Sequence, residues 1–185
     1  YNSQGRTASV TGFDAAGNQA AHIDYVYDQT GKLLVDAGNY WIDIGRLDVR
    51  EYEYDAAGNK VREIYHVSDS LDSEVDNYRV YTYDGEGNVT RQEYYFGTGE
   101  LNMVKTYEYA GGLKTREDAY NGDGTLRYYH LYQYDDKGRM VREDTYDETG
   151  TFTAYDVYSY DEEGKFQSIE TYDADGTLLR STVYN

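Results

Sequence analysis

The sequence predicts an all-β chain: tandem antiparallel β-hairpin repeats laid side by side as one long meander sheet. Three observations predict it. The pattern Asp-x-x-Gly recurs eight times in 185 residues, starting at Asp14, Asp28, Asp55, Asp84, Asp135, Asp147, Asp161 and Asp173. Tyrosines crowd ahead of these corners, 25 in all, and Tyr is a strong strand former. Proline is absent, so nothing between the corners interrupts a hydrogen-bond ladder.

Residues 1–50 carry the weaker form of the pattern. The segment 36–50, DAGNYWIDIGRLDVR, fits worst, and a bulge or loop is expected there. Residues 51–185 are the regular part. One class of corner follows Tyr-x-Tyr, at 52–55, 81–84, 107–110, 132–135 and 158–161. The other follows a single tyrosine, Tyr120, Tyr146 or Tyr172, and Asn121-Gly-Asp-Gly124 is a close variant of the motif. Phe96-Gly-Thr-Gly99 and Ala110-Gly-Gly112 are degenerate corners. The classes alternate, each recurring about every 26 residues, and VSDSLDSEVDN (67–77) replaces one tight turn with a longer connection.

Asp suits the first position of a type I turn, where its side chain caps the backbone, and Gly suits the left-handed residue of a G1 bulge. That pair closes antiparallel hairpins. Corners 12–14 residues apart leave strands of eight to ten residues and about 12–13 strands in one domain spanning 1–185. The sheet is expected to be a single layer, to curl into a shell, or to fold over as a sandwich; a curled or twisted sheet is the preferred form, because a long sheet does not remain flat. Its end strands need protection, by charge or by a neighbouring chain. Gly138→Val is expected to be costly at a left-handed position, and Gly38→Val less so.

Pairing the residue before each Asp with the second residue after each Gly gives a register. It sets Tyr134 against Met140, Tyr132 against Arg142, His130 against Asp144 and Tyr128 against Tyr146. The same rule sets Tyr52 against Arg62, Tyr81 against Arg91, Tyr107 against Arg116 and Tyr158 against Ser168. At the other sheet edge it sets Arg142 against Asp156 and Glu170 against Arg180. One face then carries tyrosines with an arginine and carboxylate row between them; the opposite face, with Leu131, Val157, Ile169 and Val183, is weakly apolar. The candidate ligand-binding platform on the first face is Tyr81, Tyr107, Tyr132, Tyr134, Tyr158, Arg91, Arg116 and Arg142.

Composition bounds the function. Leu, Ile, Val and Phe number 10, 5, 13 and 4, about 17% of the chain, with a formal net charge of −18. That balance usually marks disorder. The tyrosines tip it back toward a packed fold, since a half-buried ring contributes about 2 kcal/mol before entropy. Net charge −18 argues against nucleic acid and against anionic membrane surfaces. No apolar run is long enough to span a membrane. There is no cysteine, hence no disulfide and no thiol chemistry. No signal peptide is visible, and the chain starts at Tyr1 without Met, which suggests a processed or trimmed chain.

The segments VREYEYDAAGNKV (49–61), YRVYTYDGEGNVT (78–90) and LYQYDDKGRMV (131–141) resemble the YD repeats of the Rhs family, and the likeness extends over most of residues 13–185. It implies a bacterial secreted or cell-surface protein whose repeats wind β-sheet shells and bind carbohydrate or enclose cargo. Family members are usually far larger with shorter periods, and no toxin-like terminal domain is visible within residues 1–185. NGDGTLRYY (121–129) and DADGTLL (173–179) are more faintly similar to cell-wall-binding repeats, but Trp41 stands alone.

No catalytic or metal site is expected. His22, His66 and His130 are scattered, and no nucleophile elbow, phosphate loop or zinc motif occurs. Asp173-x-Asp175-Gly176 and Asn121-x-Asp123-Gly124 resemble the start of calcium loops but lack the later bidentate Glu; turn-forming Asp explains both more simply. The expectation is a non-enzymatic module with no cofactor, at the cell surface or outside the cell, binding carbohydrate or a protein through its tyrosine-rich face. The alternative is a purely structural spacer or shell segment.

Overall fold

The computed structural model describes residues 1–39, 47–68 and 75–184. Among them are fourteen strands: β1 (Ser9–Phe13), β2 (Gln19–Tyr27), β3 (Leu33–Asn39), β4 (Leu47–Tyr54), β5 (Lys60–Ser68), β6 (Val75–Tyr83) and β7 (Val89–Phe96), then β8 (Leu101–Ala110), β9 (Leu113–Asn121), β10 (Leu126–Tyr134), β11 (Met140–Asp147), β12 (Phe152–Tyr160), β13 (Phe166–Asp173) and β14 (Leu178–Val183). They form one antiparallel meander sheet in chain order, with β1 and β14 as its edges. The expected 12–13 strands become fourteen because the N-terminal part obeys the repeat too. Residues 36–39 and 47–50, expected to bulge or loop, belong to β3 and β4; residues 40–46, with Tyr40 and Trp41, lie outside the described residues, as do 69–74 of the longer connection.

Two compact units divide the contacts. Unit 1 comprises Tyr1–Tyr83 and Gln92–Asn102; unit 2 comprises Asp84–Arg91 and Met103–Asn185.

The corners form as their chemistry dictates. In the Asp135 corner, the Asp135 N–H donates to the Arg139 carbonyl at 2.9 Å and the Gly138 N–H to the Asp135 carbonyl at 3.0 Å. The Asp135 carboxylate accepts the N–H of Lys137 at 3.0 Å and of Arg139 at 2.9 Å. Gly138 has φ +75°, the left-handed conformation that a β-branched side chain resists. Gly38 is a different case. Its backbone is extended, but a Cβ there would run into the His22 carbonyl oxygen and sit 2.8 Å from the Ile23 Cα. The expectation that valine costs less at Gly38 is therefore corrected: neighbouring backbone fills the space.

The register needs a further correction. Tyr134 pairs with Met140 as expected, but the next pair is Gln133 with Arg142, leaving Val141 as an extra residue. The same one-residue bulge follows Tyr27, Tyr54, Tyr109 and Tyr160, always three residues past the turn glycine. A bulge sets two residues against one and shifts everything beyond it by one position. Tyr132 therefore faces Glu143, His130 faces Thr145, and Tyr129 rather than Tyr128 faces Tyr146. Likewise Tyr52 faces Glu63, Tyr107 faces Glu117 and Tyr158 faces Ile169. Arg142 faces Val157, and Glu170 faces Ser181. Because side chains alternate, a one-residue shift moves each affected arginine to the other side of the sheet. Tyr132 and Arg142 point to opposite faces.

Almost nothing apolar is buried. Among the described residues, Val104 and Ala119 are the buried hydrophobic side chains, while Glu117, Asp118 and Asp144 are the buried polar ones. Cross-strand side-chain pairs therefore carry the stabilisation that a two-layer fold draws from its core.

Candidate functional site

The face bearing both tyrosines of each Tyr-x-Tyr is built from two rows of phenols. The second tyrosine of each motif reaches back one repeat. In unit 1, Tyr27 donates its O–H to the Thr7 carbonyl at 3.0 Å, Tyr54 to Leu33 at 2.8 Å and Tyr83 to Lys60 at 2.7 Å. In unit 2, Tyr109 donates to Val89 at 2.9 Å, Tyr134 to Lys114 at 2.8 Å and Tyr160 to Met140 at 2.9 Å. Every acceptor lies two residues past a turn glycine, and Leu33, Lys60, Lys114 and Met140 among them open the bulges described above. A bulge disrupts the ladder locally, so a carbonyl there gains from a side-chain donor.

The first tyrosine of the motif meets a carboxylate five residues past the earlier glycine. Tyr81 donates to Glu63 at 3.0 Å and Tyr52 to Asp36 at 3.4 Å in unit 1. Tyr132 donates to Glu117 at 3.4 Å and Tyr158 to Glu143 at 3.2 Å in unit 2. Lysines complete the row. Lys60 sits 2.8 Å from Glu63 and lies over the rings of Tyr52 and Tyr81, 5.4 and 4.9 Å from their centres. Lys114 repeats this between Tyr107 and Tyr132, at 5.5 and 4.2 Å, with Glu117 at 3.1 Å. Lys105 adds a second contact to Glu117 at 2.6 Å. His130 lies 3.1 Å from Glu143 and from the Thr145 hydroxyl.

The charges follow from this packing. Burial pushes the Tyr52 phenol up to about 12, helped by the charges of Asp36 and Glu63. Burial and Glu63 bring Tyr81 to about 12 as well. Tyr132 and Tyr158 are also pushed up, by burial and then by Glu117 and Glu143. Burial alone would raise Glu117 and Glu63, but hydrogen bonds from Lys105 and Lys114, and from Lys60, outweigh it and leave both carboxyls below their ordinary value. The row is thus neutral phenol, ionised carboxylate and ammonium, each occupied with its neighbours.

The expected platform splits between two faces. Tyr81, Tyr107, Tyr132, Tyr134 and Tyr158 share the Tyr-x-Tyr face of their units. Arg116 and Arg142 lie on the reverse face, bound to Asp118 at 2.6 Å and Asp144 at 2.7 Å, and stacked over Tyr129 and Tyr155 at 4.3 and 3.8 Å. Arg91 lies on β7. Stacked ring pairs line the reverse face as well: Tyr129 on Tyr146 at 4.5 Å and Tyr155 on Tyr172 at 4.9 Å in unit 2, Tyr78 on Tyr95 at 4.7 Å in unit 1. Ile169, expected on the weakly apolar side, faces Tyr158 instead. The lysines and glutamates of the row escape a search for sequence motifs. Aligning the repeats on their glycines finds them, at two and five residues past it.

A cavity of about 330 Å³ opens on the Tyr-x-Tyr face of unit 1, lined by Arg50, Glu63, Tyr65, Asn77 and Arg79. No group of three or more metal-ligating side chains occurs among the described residues. The two calcium-like loops use their acids on the backbone: Asp173 accepts the N–H of Asp175 and Thr177, and Asp123 that of Thr125. No helix is long and apolar enough to cross a membrane among the described residues.

No family model matches the chain, and no curated protein matches it. Among solved structures it is similar to a chain of the Photorhabdus luminescens Tc holotoxin pore, with a TM-score of 0.52 at 16% identity over 95% of this chain and 9% of that one. Weaker likenesses, too low to support argument, are to a porin-like protein of Bacteroides uniformis (TM-score 0.47, 11% identity, 88% of this chain and 56% of that one) and to TcdB2-TccC3 without its hypervariable C-terminal region (0.34, 12%, 97% and 12%). The chain spans less than a tenth of the holotoxin chain. At that identity the likeness is one of fold: a long antiparallel β-meander.

Proposed function

We propose that this chain is a structural segment of a YD-repeat type of assembly, working outside the cell or at its surface, in which the tyrosine rows lock each hairpin to the one before. The observation that carries this reading is the fate of the Tyr-x-Tyr hydroxyls. Six second-position phenols cap carbonyls two residues past the turn glycine of the preceding repeat, and Tyr52, Tyr81, Tyr132 and Tyr158 bind its carboxylates. Groups spent on the neighbouring repeat serve cohesion before recognition. The fold likeness to the far longer Tc holotoxin chain supports a role as one stretch of a larger sheet. The test is the combined variant Tyr81→Phe, Tyr132→Phe, Tyr158→Phe. Its urea midpoint is expected to fall clearly below that of the parent chain; an unchanged midpoint rejects the structural role.

A second reading, binding of carbohydrate or a protein partner, is favoured by the cavity between Arg50, Tyr65, Asn77 and Arg79, where two guanidinium groups, an amide and a phenol converge. A glycan array probed with the parent chain and with Arg79→Met separates the two readings. Binding lost in the variant while its stability stays intact supports a ligand site; no binding by the parent chain leaves the structural reading alone.

A further inference from the structure

Without cysteine the chain has no thiol with which to bond one strand to another. Phenols offer a second route, because two of them held ring to ring couple through carbon once each has lost an electron and a proton. Three pairs on the reverse face are held in this way. Tyr155 and Tyr172 stack with ring centres 4.9 Å apart and planes 11° from parallel. Tyr78 and Tyr95 do so at 4.7 Å and 9°, and Tyr129 and Tyr146 at 4.5 Å and 4°. The partners of each pair lie 17 positions apart in sequence. Tyr155 stands directly opposite Tyr172 on the neighbouring strand, as Tyr129 does opposite Tyr146. All six rings are partly exposed, within reach of a small oxidant.

Charge distinguishes the two rings of a pair. A guanidinium lies over the first: Arg142 over Tyr155 at 3.8 Å, Arg62 over Tyr78 at 4.6 Å and Arg116 over Tyr129 at 4.3 Å. In two pairs a carboxylate two residues back accepts the hydroxyl of the second ring. Tyr172 donates to Glu170 at 2.8 Å and Tyr95 to Glu93 at 3.1 Å. A cation over a ring opposes the positive charge that appears there as an electron leaves. A carboxylate on the hydroxyl favours the loss, since it takes the phenol proton as the electron goes. The first electron therefore comes from Tyr172 or Tyr95, and the partner ring lies stacked on the radical that results. The pair of Tyr129 and Tyr146 has the stack and the arginine, but among the described residues no carboxylate accepts the Tyr146 hydroxyl.

We infer that Tyr155–Tyr172 in unit 2 and Tyr78–Tyr95 in unit 1 are oxidative cross-linking sites, where a high-valent metal complex acting as a one-electron oxidant joins neighbouring strands by a dityrosine bond. Two equivalents of oxidant are reduced, each taking one electron from one phenol. One phenol proton passes to the glutamate and the other to water. The two phenoxyl radicals couple through a ring carbon next to each C–O. The hydrogens on those two carbons then move to the oxygens and restore both phenols, so the product is lighter by two hydrogen atoms. This modification concerns the reverse face and is independent of the structural role proposed above, which rests on the Tyr-x-Tyr face.

Photogenerated tris(bipyridine)ruthenium(III), with persulfate as terminal electron acceptor, tests it on the dilute whole chain. Peptide mapping by mass spectrometry is expected to find Tyr155 linked to Tyr172 and Tyr78 linked to Tyr95 within one chain, ahead of Tyr129 linked to Tyr146. In urea, where the stacks are lost, both links are expected to fall to the yield of other tyrosine pairs. Glu170→Gln is expected to lower the Tyr155–Tyr172 link at least threefold relative to the Tyr78–Tyr95 link in the same molecules, and Glu93→Gln to do the reverse. Circular dichroism confirms that each variant is folded, and either one suffices if the other is not. A folded parent chain that forms neither link overturns the inference. So do links that follow tyrosine exposure alone, and links that persist unchanged in urea or in the folded glutamine variants.

Discussion

A phenol suits a sheet with so little buried aliphatic surface, because its ring covers neighbours while its hydroxyl finds an acceptor. Tyr134 shows both uses: it precedes a corner, and its hydroxyl reaches the Lys114 carbonyl at 2.8 Å. A hydrogen bond of this kind contributes about 1 kcal/mol net. Tyr134→Phe is therefore expected to lower unfolding free energy by about that amount in urea titration, with the ring packing kept. The glycines separate two causes of cost. Asn tolerates the left-handed region far better than a β-branched residue, so Gly138→Asn is expected to lose much less stability than Gly138→Val. At Gly38 the obstacle is the backbone of His22 and Ile23; there Asn and Val are expected to be similarly costly, as melting temperatures of the four variants will show.

The hairpins closed at Gly31, Gly58, Gly112, Gly138 and Gly164 are each defined by the corner and by a bulge three residues past its glycine. The bulge sends glutamate, not arginine, to the tyrosines and keeps Arg116 and Arg142 on the reverse face. It also creates a local conflict in unit 2, where Glu143 faces Asp156 directly across β11 and β12. Asp156 Oδ1 is buried without a hydrogen-bond partner among protein groups. Like charges opposite each other destabilise a sheet by a few tenths of a kcal/mol or more. Asp156→Asn is expected to raise stability by roughly 0.2–1 kcal/mol in chemical denaturation, and a loss of that size counts against this pairing.

Across the whole molecule, pH acts on the two rows from opposite ends. Tyr52 and Tyr81 titrate near 12 in the fold against an ordinary 10.0. A raised phenol favours the folded state fully below its unfolded value, and the contribution is lost as pH climbs from about 10 toward 12. Unfolding by alkali with phenolate absorbance appearing in the same transition is the expected result; phenolate that appears at its ordinary pH in folded protein contradicts it. At the acid end, Glu63 and Glu117 are held below 4.5, and the corner acids Asp14, Asp28, Asp55, Asp84, Asp135 and Asp147 below 3.8, the last group by hydrogen bonds within their corners. Their contribution is present above those ordinary values and lost as pH falls through the lowered ones. Circular dichroism followed downward from neutral pH is expected to show unfolding only below the ordinary carboxylate range.

The sequence by itself determined the strand class, the corners and the alternation of the two turn classes, because Asp-x-x-Gly and Tyr-x-Tyr act within a few residues of themselves. It also placed the tyrosines: Tyr81, Tyr107, Tyr132, Tyr134 and Tyr158 do share the Tyr-x-Tyr face of their units. Only the tertiary structure decided which charges meet them. That choice turns on a single unpaired residue such as Val141, which no composition or periodicity marks, since alternation by two is blind to one added position until the partner strand is in place.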